Sequence, residues 1–253
     1  MNKIVFVTGA TSGIGQATAH RFASNGYNII LAGRRSDRLN ETAVEIQNKY
    51  KVNTLALELD VRDRQAVMES VSQLEDKWAE INILVNNAGL ASGLDFIQDG
   101  NLDDWDQMID TNVKGLLYIS KAVIPGMIRR GKGHIINIGS TAGKEVYTKG
   151  NVYCASKHAV DAITKGMRID LLGTGIKVTQ IAPGAAETEF SLVRFHGNAE
   201  QAKKVYQGFQ PMTPDDIAEV IFYTTTLPEH LCINDLVLTS VAQANSFYIH
   251  REA

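Results

Sequence analysis

Seven short apolar runs punctuate the chain: Ile4–Val7, Asn28–Leu31, Thr54–Glu58, Ile81–Val85, His134–Ile138, Lys177–Ile181 and Leu236–Leu238. Runs of this kind suit strands buried on both faces of a parallel sheet. Helix-length stretches lie between them. Val67, Val71, Leu74 and Trp78 repeat at helical spacing, as do Leu102, Trp105, Ile109, Val113, Leu116, Ser120 and Val123. This alternation predicts an α/β chain with a doubly wound sheet and helices on both faces. Residues 184–214 break the rhythm, with Gly184, Gly197, Gly208, Pro211 and Pro214 around one mixed polar and apolar helix. They read as an excursion over the sheet within a single unit, 1–253, because long excursions from compact folds are usually functional.

Composition narrows the classes. Of 253 residues, 44% are hydrophobic and 21% charged, which excludes a disordered chain, a collagen and a disulfide scaffold. The net charge of −3 gives no basic footprint for nucleic acid. The two cysteines, Cys154 and Cys232, read as buried thiols in a reducing cytoplasm. Four apolar residues after Lys3 are too few for a signal peptide, and no run nears the roughly 20 residues that span a bilayer. A cytoplasmic protein with neither a membrane nor a nucleic-acid partner is expected, and no metal.

After the first run comes Thr8-Gly9-Ala10-Thr11-Ser12-Gly13-Ile14-Gly15, leading into a helix-like stretch. Gly9 permits a tight strand-to-helix turn. Gly13 clears space where backbone must approach a pyrophosphate, and Gly15 lets helix and strand pack closely. The helix N-terminus then offers free N–H groups to the anion. The second run ends in Gly33-Arg34-Arg35, where an NAD site carries an acid. Two guanidinium groups suit a ribose 2′-phosphate, so the expected cofactor is NADP. Asp37 lies slightly late to serve as the missing acid.

Tyr153-Cys154-Ala155-Ser156-Lys157 places a tyrosine and a lysine on one helix face. A tyrosine with pKa near 10 is a poor base at neutral pH, and a nearby cation favours its phenolate. Ser140 follows the fifth run, at the edge where ligands bind open α/β sheets. Asn86-Asn87-Ala88-Gly89 follows the fourth run at the same edge. Asn112 interrupts an apolar helix face, as either a local hydrogen-bond lock or part of a polar relay.

Together these residues resemble the short-chain dehydrogenase/reductase family, in order and spacing across residues 4–240. The resemblance rests on Thr8-Gly9, Gly13, Gly15, Asp60-Val61, Asn86-Asn87-Ala88-Gly89, Asn112, Ser140, Tyr153, Lys157 and Pro183-Gly184. It implies a Rossmann-type domain with a seven-stranded sheet, usually in a homotetramer. It implies that Tyr153 is the general acid/base, that Ser140 holds the substrate oxygen, and that Lys157 binds the nicotinamide ribose and depresses the tyrosine pKa. Asn112 would hold a water of the proton relay. Asp60 and Val61 would line the adenine pocket, and Asn87 would contact the cofactor ribose. Thr11, Ser12, Ile14, Ala88, Gly89, Pro183, Gly184 and Thr188 complete the expected cofactor site.

Within the family, three stretches resemble the NADP-dependent 3-hydroxy acid dehydrogenases that act on serine or allo-threonine: Asn137–Gly143, Thr188–Phe195 and the Ile249-His250-Arg251 tail. The expected reaction moves a hydride between cofactor and the C3 hydroxyl or carbonyl of a small 3-hydroxy acid, such as serine, allo-threonine or 3-hydroxyisobutyrate. A carboxylate substrate wants a cation. Arg194 is the expected anchor and Lys149 the runner-up, unless Arg194 is spent on an ion pair with Glu187 or Glu189. Ala185-Ala186 stand where relatives carry bulkier apolar residues; the space this opens beside the nicotinamide bears on the inherited substrate range more than on the reaction. Two other readings remain: a broad NADPH-dependent ketoreductase on uncharged ketones, and a non-catalytic nucleotide-binding protein.

Overall fold

In the computed structural model, which describes residues 3–252, all seven runs are strands. They are β1 (Ile4–Thr8), β2 (Asn28–Gly33), β3 (Thr54–Glu58), β4 (Ile81–Asn86), β5 (Gly133–Ile138), β6 (Ile176–Pro183) and β7 (Asp235–Leu238). They form one seven-stranded sheet in the order β3-β2-β1-β4-β5-β6-β7. Every pairing is parallel. The order reverses between β1 and β4. The loops after these two strands diverge, and a crevice opens at their carboxyl ends.

The helices are α1 (Gly13–Ser24), α2 (Ser36–Tyr50), α3 (Arg64–Ser72), α4 (Leu102–Ile109), α5 (Leu116–Arg130), α6 (Asn151–Asp170), α7 (Phe190–Arg194), α8 (Ala199–Lys204) and α9 (Pro214–Thr225). Strand alternation sorts them into two layers. Val5 and Val7 of β1 face Phe22 of α1, Leu39 and Ile46 of α2, and Ile221 of α9. Ile4 and Phe6 of the same strand face Val67 of α3, Ile119 and Met127 of α5, and Val160 of α6. The result is a three-layer Rossmann-type domain. No helix among the described residues is long and apolar enough to cross a membrane.

Three expectations need correction. The period through Val67, Val71, Leu74 and Trp78 is not one helix: α3 stops at Ser72, and Trp78 lies in a separate 3-10 turn, Asp76–Ala79. Leu74 and Trp78 still reach the same apolar layer, so periodicity alone could not separate them. The period from Leu102 to Val123 is likewise interrupted. Asp110–Gly115 forms a π-helical segment between α4 and α5. The excursion holds two short helices, α7 and α8, rather than one.

Candidate active site

The crevice is a cavity of about 540 Å³ at the carboxyl ends of the strands. One end is built by the turn between β1 and α1. Gly9 has φ +65°, and a Cβ there would stand 2.9 Å from the Ala88 Cα. Only glycine meets both demands. Gly13, with φ +54°, and Thr11, Ser12 and Ile14 line the cavity beside it. Gly15 does not line it. A Cβ there would fall 2.3 Å from the Gly9 oxygen and 2.4 Å from the Asn87 Nδ2, so Gly15 lets α1 approach the turn behind the cavity. The Asn87 amide ties β4 to that turn by donating to the Thr8 and Gly9 carbonyls at 2.9 and 3.2 Å.

Leu59, Asp60, Val61 and Thr111 form the next wall. Burial opposes ionisation of Asp60, but hydrogen bonds from Arg62 outweigh it and lower its pKa. The Thr111 Oγ1 is buried with no partner. An orphaned hydroxyl on a cavity wall is a group that awaits a ligand. Arg34 and Arg35 close this end, but they are not equivalent. Among the described residues Arg34 makes no hydrogen bond or ion pair. Arg35 is fully engaged: it donates to Thr11 Oγ1, to Ser12 Oγ and to Glu189 Oε2. Asp37 sits exposed in the first turn of α2, away from the cavity. The left-handed turn, the orphaned Thr111 hydroxyl and the unpaired Arg34 fit a dinucleotide bearing a 2′-phosphate.

At the other end Ser140, Tyr153 and Lys157 meet. Ser140 follows β5, and its Oγ accepts from the Ala142 N–H at 3.1 Å. Tyr153 and Lys157 share one face of α6, and both are buried. Burial raises the Tyr153 pKa strongly; a hydrogen bond with Ser140 and the charge of Arg194 oppose that. Lys157 donates to the Ile138 carbonyl at 2.9 Å, and burial lowers its pKa to about 8. Arg194 is a second cation beside Tyr153, one that the sequence reading assigned only to the substrate carboxylate. Asn87, Ala88, Gly89, Pro183, Gly184, Ala185, Ala186 and Thr188 all line the cavity.

Asn112 does not line it. It lies in the π-helical segment, 2% exposed. Its amide spans the Leu90 backbone, accepting from N–H and donating to the carbonyl at 2.8 Å each, and donates to Ser156 Oγ at 2.9 Å. The local lock is therefore present. Its Oδ1 and the Lys157 Nζ both lie beside Gly89, 3.2 and 3.5 Å from where a Cβ would be.

Arg194 reaches the cavity from the end of α7. Its guanidinium lies over the rings of Tyr147, Tyr153 and Phe190 at 5.3, 5.4 and 5.9 Å. It donates to the Tyr147 hydroxyl at 2.5 Å. It has no carboxylate partner among the described residues, since Glu189 is held by Arg35 and Arg38. Lys149, the runner-up, does not line the cavity; its ammonium lies over the Phe96 ring at 4.6 Å.

Sequence reasoning missed several lining residues: Tyr147, Phe190, Gln243, Ser246 and Ile249. Gln243 accepts from the Ala185 N–H at 2.8 Å and fills the space that a Cβ on Gly184 would take. The only sequence signal for that wall was the Ile249-His250-Arg251 stretch, which carried a resemblance but no role.

The sequence profile described as short chain dehydrogenase matches residues 3–198. The chain is 47% identical over 242 residues to the NADP-dependent 3-hydroxy acid dehydrogenase YdfG of Salmonella typhi, covering 95% of this chain and 96% of that one. It is 46% identical over 254 residues to sulfoacetaldehyde reductase 2 of Chromohalobacter salexigens, covering all of both chains. A solved structure, the closed form of serine dehydrogenase complexed with NADP+, matches with a TM-score of 0.92 at 45% identity, over 98% of this chain and 100% of that one.

Proposed function

The chain belongs to the short-chain dehydrogenase family, and from that premise we propose that it is an NADP-dependent oxidoreductase for small 3-hydroxy acids and their anionic analogues. The observation that carries the substrate class is Arg194, a guanidinium without a carboxylate partner stacked over the Tyr153 ring inside the cavity. The names of the relatives fit one pattern. A 3-hydroxy acid and sulfoacetaldehyde each place an anionic head two carbons from the oxygen-bearing carbon, counting that carbon. Arg194, with the Tyr147 hydroxyl beside it, holds such a head, whether carboxylate or sulfonate. Ala185 and Ala186 leave room for a substituent between head and reacting carbon.

NADP, when bound, supplies or takes up the hydride. The chain does the rest. Ser140 Oγ holds the substrate oxygen. Tyr153 Oη takes the hydroxyl proton in oxidation and returns one to the carbonyl oxygen in reduction. The raised Tyr153 pKa keeps it protonated in the cofactor-free chain, the form that serves reduction. Lys157 holds the nicotinamide ribose and favours the phenolate. Asn112 positions Leu90 and holds a relay water beside Gly89. The β1–α1 turn takes the pyrophosphate, Thr111 and Asp60 the adenosine end, and Arg34 the 2′-phosphate. With serine the product is a 3-oxo acid bearing an aldehyde, and with allo-threonine a β-keto acid; both lose carbon dioxide without a dedicated residue.

The same reading makes the enzyme a cytoplasmic homotetramer. Both free thiols, Cys154 and Cys232, suit a reducing compartment. Exposed Leu102, Leu117, Ile128, Ile169 and Leu172 on α4, on α5 and at the end of α6 support self-association.

The test follows cofactor absorbance with L-serine, L-allo-threonine, 3-hydroxyisobutyrate and a neutral secondary alcohol, with NADP+ or NAD+. The acids turn over, with NADP+ preferred. Arg194→Gln raises KM for the acids by roughly ten- to hundredfold and leaves the neutral alcohol unchanged. Turnover of the neutral alcohol alone, or an unchanged KM for the acids, would replace this reading with a general ketoreductase.

A further inference from the structure

The cation cluster at the 2′-phosphate end already holds an anion, and the anion belongs to the chain. Glu189 reaches across the cavity mouth from the start of α7 to the start of α2. Its Oε2 takes Arg35 Nη1 at 2.9 Å and its Oε1 takes Arg38 Nη1 at 2.7 Å. Burial works against ionisation, yet Arg38 and Arg35 hold its pKa down to about 2, so it is charged at any working pH. Glu189 itself lines the cavity with Thr11, Ser12, Arg34 and Arg35. Every nitrogen of the Arg35 guanidinium is bonded, to Thr11, Ser12 or Glu189.

We propose that Glu189 is a cofactor-discriminating residue: its carboxylate occupies the anion site that a ribose 2′-phosphate must share or take over. This rests on the NADP reading above. Arg34, unpaired, receives the phosphate first. To recruit Arg35 as well, the phosphate must displace Glu189, because two anions on one guanidinium at a half-exposed site repel. Glu189 therefore weakens binding of cofactors that carry the 2′-phosphate and is indifferent to those that lack it. It also rejects stray anions while no cofactor is bound. Glu189 stands at the N-cap position of α7, the short helix that ends in Arg194.

The test measures Kd by fluorescence titration of NADPH and of NADH, for wild type and Glu189→Gln. The glutamine keeps the shape and removes the charge, and side chains this exposed tolerate the change; thermal unfolding checks that both proteins are folded. The expected result is NADPH binding about tenfold tighter in the variant, the size of one unit charge acting at a solvent-facing site, with NADH unchanged. NADPH binding that is unchanged or weaker, in a wild type that still prefers NADPH, would overturn the proposal; weaker binding would make Glu189 a strap over the bound cofactor. Equal tightening for both cofactors would also overturn it. A wild type that binds NADH as well as NADPH would overturn the NADP reading itself.

Discussion

Lys157 carries its charge where charge is disfavoured. It is 7% exposed, and among the described residues its ammonium has one acceptor, the Ile138 carbonyl. Burial therefore brings its pKa down to about 8. A folded pKa below the unfolded one means that the stability this lysine contributes is present above the unfolded value and is lost as pH falls through about 8. At neutral pH the fold thus carries a poorly solvated cation, which the ribose hydroxyls of the proposed cofactor would relieve. Cofactor binding should raise the pKa and take up about half a proton per chain at pH 8 and almost none at pH 6.5. Calorimetric titration with NADPH in buffers of different ionisation enthalpy reads this directly, and Lys157→Met should abolish it. Equal uptake in wild type and variant would assign the proton elsewhere. The Tyr153–Lys157 pair was legible because four residues on a helix repeat a face. The Arg194–Tyr147 contact was not: it joins residues 47 apart in sequence, on a loop and a short helix with no shared period.

Local chemistry sets where the elements start, and here a single threonine is decisive. Thr213 opens α9 with a capping box: its Oγ1 accepts from the Asp216 N–H at 3.2 Å, and Asp216 Oδ2 accepts from the Thr213 N–H at 2.7 Å. The helix lies against α1, with Phe22 and Phe222 edge-on at 5.3 Å. Thr213→Ala should cost about 1 kcal/mol in urea unfolding, with cofactor affinity unchanged. No loss of stability would mean that water caps the helix equally well. Sequence patterning found every strand as an apolar run, because these strands are buried on both faces, and found helices where a 3.6 period shows. It failed where a period survives a break in backbone. The π-helical segment at Asp110–Gly115 changes the hydrogen-bond spacing and turns Thr111, Asn112 and Gly115 inward, and so the site of Asn112 was visible but not its geometry. Gly115 lets this segment press on Val61, where a Cβ would meet the valine side chain at 2.6 Å.

The sheet as a whole is sensitive to acid through a residue far from the chemistry. His134 on β5 is 6% exposed and shares a 2.8 Å hydrogen bond with Thr179 Oγ1 on β6. Burial, helped by the Lys177 charge, lowers its pKa to about 4. It folds as the neutral ring, while the unfolded chain takes up a proton below about 6.5. Stability is therefore fully present at pH 7 and declines as pH falls towards 4, by about 3 kcal/mol from this residue. Urea unfolding at pH 7 and pH 4.5 should show a smaller acid loss in His134→Gln than in wild type; identical losses would place the sensitivity elsewhere. Fold class followed from the alternation of apolar runs and helical stretches, whereas the cavity wall from the far end of the chain did not. That wall has a consequence in time. The cavity draws its lining from Gly9 through Ile249. A ribosome adding about 5–20 residues per second needs on the order of ten to fifty seconds to join those two points. For that interval the nascent chain can fold its first strand-to-helix turn, but the chamber that this turn helps to enclose does not yet exist.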